Sequence, residues 1–423
     1  MRFIADLHIH SSYSRATSPE MVPEGIWKWA QMKGITIVGT GDFTHPRWFK
    51  ELGEKLESTG NGLFQLREDR QGEGVPESCR ADLFFLLSVE ISCIYKKRDR
   101  TRKIHCLVFV PDFASAAKFN LALSRIGNIT SDGRPILGLD AKELLKITLD
   151  TSPEAVLIPA HAWTPHFSVF GAASGFDSLD ECFDELTPHI HAIETGLSSD
   201  PPMNWRLSAL DRITLISNSD AHSAPKLGRE ANIFDADVSY GGIMESIKTR
   251  AGFLGTIEFF PEEGKYHYDG HRPCGVRSSP DETRKNEYRC PACGKRLTVG
   301  VMHRVEKLAD RAHGFRPAGA PRYYSLIPLQ EVLAEARGVG SNSKSVYNEY
   351  MNLITRLGSE FKILMDTPLS NIEQVASPLV AEAIARMRAG KVHINPGYDG
   401  EYGEIKIFET AERKEIKGQG TLL

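Results

Sequence analysis

The 423-residue sequence lacks any run of about 18 uncharged apolar residues, the length that a helix needs to cross a bilayer. Residues 1–8 also lack the apolar stretch of a signal peptide, since they include an acid and a histidine. Neither charge sign dominates, with 51 Lys+Arg against 55 Asp+Glu. The sequence therefore predicts an intracellular, cytoplasmic protein without a membrane span.

Cysteine is scarce, and the seven in this chain are too few for a disulfide scaffold. Four are scattered, and we expect them to be small buried side chains: Cys79, Cys93, Cys106 and Cys182. The other three fall near a histidine in one window, as His271-x2-Cys274 and Cys290-x2-Cys293. Two such pairs predict a structural tetrahedral zinc site, with His303 or His267 as the alternatives to His271.

Positive charge is concentrated in one segment of a chain whose net charge is -4. Residues 265–322 contain 13 Lys+Arg and 6 Asp+Glu. A basic segment on an acidic protein favours a polyanionic partner, and the alternative is a solvated basic surface.

Short apolar segments alternate with helical ones over the first 260 residues, and this pattern predicts a parallel α/β core. The pattern places helices at 23–33 and 141–146. It places strands at 35–40, 83–89, 104–110, 155–159, 190–194 and 213–217. We favour a closed or nearly closed barrel over a doubly wound sheet, because polar residues recur at the ends of these strands. In α/β barrels that rim holds the chemistry. The residues are His8, Asp42, Glu90, His161, Glu194 and Asp220.

Histidines and carboxylates at these strand ends have the spacing of metal ligands. His8 and His10 share one face of a strand because they are two residues apart, and Asp220 and His222 repeat that spacing. Glu90 can bridge two metals through its two oxygens. With His105 and His161, these residues predict a metal centre.

The same residues resemble the polymerase-and-histidinol-phosphatase (PHP) superfamily over about the first 250 residues. The matching segments are Asp6 to His10, Gly41-Asp42, Val89-Glu90, His105, Ala160-His161 and residues 218–222. Together with residues 39–46, residues 261–272 and the cysteine cluster, they resemble the endonuclease Q family over nearly the whole chain. The resemblance implies a distorted seven-stranded barrel with two or three divalent metals (Zn, Mg or Mn).

The resemblance also implies an activity, that of a metal-dependent DNA repair endonuclease associated with the nucleoid. Such an enzyme hydrolyses the phosphodiester 5′ to a deaminated base (uracil or hypoxanthine) or an abasic site, leaving a 3′-hydroxyl and a 5′-phosphate. The expected metal ligands are His8, His10, Asp42, Glu90, His105, His161, Asp220 and His222, and the expected catalytic residues are Asp220, His222, Glu90 and His166.

One segment departs from the PHP pattern. The usual Thr-Asp-His reads Gly41-Asp42-Phe43, and residues 11–15 offer neither His nor Asp as a further ligand. We expect Asp42 to be the ligand here, with His45 as the alternative.

Candidate DNA contacts lie in three places. The charged segment at Lys96, Lys97 and Arg98 is tethered beside the proposed ligands, and Arg272 belongs to the basic segment. An enzyme acting at a damaged base needs aromatic faces to hold it, and Trp163 or Phe167 could supply them.

Composition divides the chain into a nuclease barrel (1–260), a basic zinc-binding module (261–321) and a mostly helical C-terminal domain (322–423). In that domain Pro378 should divide the helical segment 372–389, and residues 404–408 read as a last strand. Residues 417–423 hold half of a sliding-clamp-binding pattern. The alternative functions are a small-molecule phosphoesterase of the histidinol-phosphatase type and a barrel kept as a binding module.

Overall fold

The computed structural model describes residues 1–409, 412 and 413. The predicted sliding-clamp segment, residues 417–423, lies outside this described part of the chain. Within it, every helix is too short or too polar to cross a bilayer.

The described chain contains both β-strands and α-helices. The strands are β1 (Arg2–Asp6), β2 (Ile37–Gly39), β3 (Leu56–Ser58), β4 (Phe64–Leu66), β5 (Phe84–Leu86), β6 (Ser88–Lys97), β7 (Arg100–Phe109), β8 (Ile136–Leu137), β9 (Val156–Pro159), β10 (Ala192–Glu194), β11 (Thr214–Ile216), β12 (Ala231–Asp235), β13 (Phe253–Glu258), β14 (Asp269–His271), β15 (Val276–Ser278), β16 (Arg322–Ser325), β17 (His393–Asn395) and β18 (Glu404–Lys406). The α-helices are α1 (Pro23–Lys33), α2 (Pro46–Lys55), α3 (Phe113–Ser124), α4 (Ala141–Thr151), α5 (Leu179–Phe183), α6 (Pro201–Asn204), α7 (Tyr240–Thr249), α8 (Pro280–Lys285), α9 (Val301–Leu308), α10 (Leu329–Arg337), α11 (Lys344–Leu357), α12 (Leu369–Glu373) and α13 (Pro378–Arg388).

The strands of the α/β core are divided among three hydrogen-bonded sheets. An eight-stranded sheet has the order β16-β13-β12-β1-β2-β5-β4-β3, a four-stranded sheet has the order β8-β6-β7-β9, and β10 pairs with β11. Pairing is parallel at β1–β2, β2–β5 and β10–β11, and antiparallel at β1–β12 and β12–β13. The predicted α/β class is confirmed, but the expected parallel core is wrong in part, because β12 pairs antiparallel with β1 and β13, and β6 pairs antiparallel with β7. A closed seven-stranded barrel stays a prediction.

Local sequence signals account for most of the element boundaries. Each of the six predicted strand segments contains a strand, and the segment 83–89 contains parts of two, β5 and β6. Helix α1 begins with Pro23 in its first turn and ends before Gly34, whose φ of 89° suits a glycine. Pro378 does divide the segment 372–389, because it starts α13 after the Ser377 side chain caps the helix.

Residues 261–321, which contain nearly all of the basic segment, form an excursion between two neighbouring strands. β13 and β16 pair in parallel, with Gly255 opposite Arg322, so residues 261–321 leave the large sheet and return beside the strand they left. The hairpin of β17 and β18 lies against this excursion: Tyr268 N donates to Gly397 O at 2.9 Å, and Gly397 N donates to Glu262 O at 2.8 Å. The predicted boundary at residue 322 therefore falls on a strand of the large sheet.

A buried ion pair joins the first helix to the C-terminal helices. Lys33 Nζ on α1 lies 2.7 Å from Glu360 Oε2, and both side chains are 3% exposed. The other Glu360 oxygen accepts a hydrogen bond from Leu329 N, the first residue of α10. Removing one partner of such a pair leaves an uncompensated buried charge, which is strongly destabilising.

We expect Lys33→Gln to lower the free energy of unfolding by about 3 kcal/mol, because it strands the Glu360 carboxylate. Lys50→Gln is the matched control, because Lys50 pairs with Glu54 on an exposed helix face and should contribute at most about 0.5 kcal/mol. Urea titration of both variants measures the difference, and equal midpoints would contradict this role of the pair.

Candidate metal centre

Three of the predicted metal ligands adopt backbone conformations that are rare for residues other than glycine. The φ angles of Asp42, His161 and Asp220 are 52°, 29° and 47°. Left-handed backbone of this kind costs free energy, and it persists where the surrounding structure holds a functional side chain in place. His161 and Asp42 follow β9 and β2, so the chain turns sharply at the strand ends where these side chains are presented.

The first ligand group consists of His8, His10, Glu90 and Asp220, whose candidate ligand atoms all lie within 4.8 Å of one another. Glu90 Oε2 is 3.7 Å from His8 Nε2 and 3.3 Å from His10 Nε2. Asp220 Oδ1 is 3.0 Å from His10 Nε2. Both Nε2 atoms and Asp220 Oδ1 are buried and have no hydrogen-bond partner within the described part of the chain. Buried polar atoms without partners are uncommon, and a bound cation would satisfy all three.

The opposite ring nitrogens are held by carboxylates. His8 Nδ1 lies 3.1 Å from Glu194 Oε1, and His10 Nδ1 lies 3.1 Å from Asp42 Oδ1. Metal-binding histidines are commonly oriented in this way by a carboxylate on the far nitrogen. Glu194 is also fixed by His161 N and Asn218 Nδ2.

The expectation that Asp42 is itself a metal ligand does not fit this geometry. One Asp42 oxygen faces His10, and the other accepts hydrogen bonds from Ser11 N, Ser11 Oγ and Ser14 Oγ at 2.6 to 2.9 Å. The alternative, His45, does not fit either, because its Nε2 contacts Thr130 O and its ring stacks on Tyr13. Spacing along the chain could not distinguish a ligand from the carboxylate behind it.

The second group shares Glu90 with the first and adds His105 and His161. Glu90 Oε1 is 2.6 Å from His105 Nδ1 and 3.0 Å from His161 Nε2. Each Glu90 oxygen thus faces a different group, as the sequence interpretation requires of a bridging carboxylate. Ion sites on the two sides of one carboxylate would be close neighbours.

Burial and neighbouring charges shift the pKa values of these ligands in opposite directions. Burial lowers the pKa of His8, but Glu194 and Asp220 outweigh it and raise that pKa well above its usual value. Burial also raises the pKa of Glu90, but His105, Arg134 and the hydrogen bond from His10 together outweigh it and hold that pKa well below its usual value, so Glu90 stays ionised. Burial dominates at His105 and lowers its pKa to about 4.

Two predicted residues lie beside the ligand groups. His222 packs against His10 with ring centroids 4.5 Å apart and the rings tilted by 45°, but its Nδ1 contacts the Asp220 carbonyl, and the ring is absent from both groups. His166 is exposed on the loop after His161. Sequence reasoning missed Arg134, whose Nη1 donates to Glu90 Oε2 at 3.0 Å. It lies in a short loop with no periodic pattern, so the sequence carries no signal for it.

The two aromatic candidates for DNA contact, Trp163 and Phe167, differ in how exposed their rings are. Trp163 is 1% exposed, its Nε1 donates to Asn204 Oδ1, and it packs against Phe170. The expectation that Trp163 contacts DNA is therefore wrong, because this ring is part of the core. Phe167 is half-buried, with its ring 4.7 Å from that of His105 and Lys103 Nζ over its face.

The predicted basic contacts at the β6–β7 turn are engaged elsewhere. Lys97 Nζ contacts Asp184 Oδ2 at 2.9 Å, and Arg98 Nη1 contacts Glu181 Oε1 at 2.8 Å. Lys97 is seven residues beyond Glu90 on β6, or about 23 Å along the strand. The structure does not bring this turn to the ligand groups, and among the three cations Lys96 is exposed without a described ion pair.

The cysteine cluster forms a third group. The candidate ligand atoms of four residues lie within 4.8 Å of one another: His271, Cys274, Cys290 and Cys293. His303 is instead held by Asp269 Oδ2 at 2.7 Å, and His267 is buried away from the thiols. This geometry favours His271 among the three histidines. Arg272, the predicted DNA contact next to it, is exposed.

Histidines and carboxylates come together in this α/β fold in groups suited to a metal ion. The fold and the site therefore define the class, an α/β protein with a candidate metal centre. The chain belongs to the endonuclease Q family. It is 33% identical to the lesion-specific endonuclease PfuEndoQ of Pyrococcus furiosus, covering 97% of this chain and 96% of that one with a TM-score of 0.84. It is also 33% identical to an endonuclease Q solved with a 27-mer duplex carrying an abasic lesion at the active site, covering 97% and 98% of the two chains with a TM-score of 0.82.

Two further similarities cover parts of the chain. Residues 328–391 match the family model of the MJ0043 C-terminal domain. The protein MJ0043 of Methanocaldococcus jannaschii is 34% identical over 272 residues, which are 62% of this chain and 34% of that protein. The chain thus spans about a third of the length of this curated relative.

We expect Asp42→Asn to weaken binding of Mn²⁺ about 10- to 100-fold without abolishing it, because it removes the carboxylate that orients His10. Glu90→Gln should abolish binding, because it replaces the carboxylate that both groups share. Calorimetric titration with Mn²⁺ compares the two variants. A complete loss of binding in Asp42→Asn would instead make Asp42 a ligand.

Proposed function

We propose that this protein is a metal-dependent DNA repair endonuclease that cuts the phosphodiester 5′ to a deaminated base or an abasic site. The observation that carries the proposal is the set of buried, unpartnered atoms around Glu90, namely His8 Nε2, His10 Nε2 and Asp220 Oδ1. Membership of a family with a lesion-specific endonuclease supplies the substrate class.

The residues present fit divalent metals. His8, His10, Glu90 and Asp220 would hold one ion, and Glu90, His105 and His161 a second. Mixed histidine and carboxylate ligands suit Zn or Mn better than Mg, which prefers oxygen. Bound divalent ions make water acidic enough to act as a nucleophile near neutral pH and stabilise charge on phosphate oxygens.

The reaction is a hydrolysis in which the bond from phosphorus to the 3′ oxygen breaks and a bond from phosphorus to the water oxygen forms. One proton of the water is released, and the departing 3′ oxygen gains one. The products are a 3′-hydroxyl and a 5′-phosphate. His166 is exposed on the loop that follows His161, where it can give a proton to the leaving oxygen.

A cleft of about 860 Å³ opens between the loop after His161 and the basic segment. Its volume is in the range of small-ligand sites, and His166 lines one side of it. Tyr266 and Tyr402, which are 38% and 77% exposed, line the other side, and Lys265 Nζ lies over both rings. We propose that this cleft receives the lesion nucleotide and that the two tyrosines take the role first expected of Trp163.

The basic segment is proposed to bind the DNA backbone. Its zinc group has four protein ligands and no open position, so a zinc ion there would stabilise the fold rather than take part in hydrolysis. Arg272 is exposed next to this group and is available for phosphate contact. A small phosphate monoester would not need such a surface, which argues against the histidinol-phosphatase alternative.

The proposal predicts nicking of duplexes that carry an abasic site, uracil or hypoxanthine, and no nicking of the undamaged duplex. EDTA should stop the reaction, and Asp220→Asn should slow it more than about 100-fold because a metal ligand is lost. Asp235→Asn is the matched control, since Asp235 is exposed and pairs with the chain N-terminus, and it should cut normally. Denaturing gel analysis of end-labelled strands measures the rates and the cut position.

Two outcomes of this assay would contradict the proposal. Equal cutting of undamaged DNA would remove the repair function. Normal cutting by Asp220→Asn would remove the proposed centre. Binding to the abasic duplex should also weaken steeply as salt rises, which monoester hydrolysis should not.

The proposed zinc site predicts that a change in one of its ligands removes the bound zinc ion. Cys290→Ser should release the zinc ion and lower the thermal unfolding temperature, whereas Cys79→Ser, in a buried thiol that faces Ile354 O, should retain the metal. Elemental analysis of both purified variants gives the zinc content per chain. Equal zinc content in the two variants would exclude the site.

A further inference from the structure

Arg134 is the one described arginine or lysine that contacts the shared carboxylate. Its Nη1 donates to Glu90 Oε2 at 3.0 Å, and this is the single hydrogen bond described for its guanidinium. A guanidinium has five N–H donors in a planar fork, so most of its hydrogen-bonding capacity is unused by described groups. The side chain is 29% exposed, so part of the guanidinium is accessible from solvent although it contacts a fully buried carboxylate.

The backbone around Arg134 is fixed on both sides of the site. Arg134 N donates to Asp132 Oδ1 at 3.1 Å, and Gly133 N donates to Tyr13 O at 3.1 Å. A side chain at Gly133 would come within 2.3 Å of an Asp42 oxygen, so the loop touches the carboxylate that orients His10. Beyond it, the Pro135 carbonyl accepts from Ser92 N on β6 at 3.0 Å. The guanidinium is thus held in place before any substrate arrives.

A purely structural role explains this arrangement poorly. Glu90 Oε2 also faces the free nitrogens of His8 and His10, so an arginine on that oxygen competes with the ion that the group is suited to hold. A phosphate placed between the groups and the cleft would offer the guanidinium oxygens of matching geometry.

We propose that Arg134 is a catalytic residue that binds a non-bridging oxygen of the scissile phosphate and stabilises the negative charge that develops there. This inference rests on the proposed function, because it takes the scissile group to be a phosphodiester. Water adds to phosphorus and the 3′ oxygen leaves as before, while Arg134 donates hydrogen bonds and neither gains nor loses a proton.

The test compares Arg134→Gln and Arg134→Lys with Arg15→Gln in the full chain. Arg15 is exposed and lies 3.4 Å from Asp132, so its replacement removes the same charge beside the same loop without touching Glu90. Hydrolysis of bis(4-nitrophenyl) phosphate and nicking of the abasic duplex are measured together. The first substrate keeps this test independent of lesion recognition, so a protein that ignores damaged DNA can still confirm or refute the role of Arg134.

We expect Arg134→Gln to lower kcat about 100-fold on both substrates, with KM changed less than threefold. Arg134→Lys should recover part of this loss, and added guanidinium ion should partly restore Arg134→Gln. The inhibition constant of inorganic phosphate should rise about tenfold, since one charged hydrogen bond to phosphate is lost. Bound metal per chain, measured by elemental analysis, should stay at the wild-type value, and Arg15→Gln should keep its kcat.

Either of two results overturns the proposal. If Arg134→Gln loses metal in proportion to its loss of kcat, Arg134 holds Glu90 in place and does not bind phosphate. If kcat and phosphate inhibition match those of Arg15→Gln, the arginine has no part in the reaction.

Discussion

The described architecture depends on one buried carboxylate, Glu90, that is shared by two groups of histidines. Its side chain is 1% exposed, and each oxygen faces different nitrogens. An isolated ionised carboxylate at this depth would be very costly, so the fold is consistent only if positive charge surrounds it. Arg134 supplies that charge together with His8 and His10, which follow β1 and whose pKa values are raised, and metal ions would supply more. Because these residues come from distant parts of the chain, the surrounding strands must converge on Glu90.

This convergence requires unfavourable backbone conformations and carboxylates that hold the ligand side chains from behind. Asp42, His161 and Asp220 all turn through left-handed conformations to point inward. Glu194 and Asp42 then fix the rings of His8 and His10, and Ser11 and Ser14 in turn fix Asp42. Each layer removes rotational freedom from the one in front of it, so the ligand atoms are placed before an ion binds.

The sequence predicted the α/β class and the positions of β2, β5, β6, β7, β9, β10, β11 and β18, because apolar runs mark buried strands. It also predicted that His8, His10, Glu90, His105, His161 and Asp220 would lie together, and their candidate ligand atoms form the two groups that share Glu90. Glu90 and His105 lie within β6 and β7, so the expectation that Glu90 follows a strand end is wrong. The sequence could not predict the direction in which a side chain points. Asp42 and Trp163 stand where a ligand and a stacking ring would be expected, yet one turns behind His10 and the other into the core. Arg134 escaped notice because only the tertiary fold brings its loop to Glu90.

Hydrogen bonds connect the basic segment to the loop that follows His161, which is part of the candidate metal centre. The segment leaves and rejoins the large sheet at the paired strands β13 and β16, so backbone hydrogen bonds fix both of its ends. Arg304 on α9 is buried and donates to Phe170 O, Phe176 O and Asp177 Oδ1, which belong to the loop that follows His161. One side of the cleft is therefore tied to the other by a buried arginine. A shift of the basic segment would have to break those hydrogen bonds, and it would move the Tyr266 side of the cleft relative to the loop that presents His161. The hydrogen bonds of Arg304 therefore hold the cleft and the candidate metal centre in one fixed arrangement.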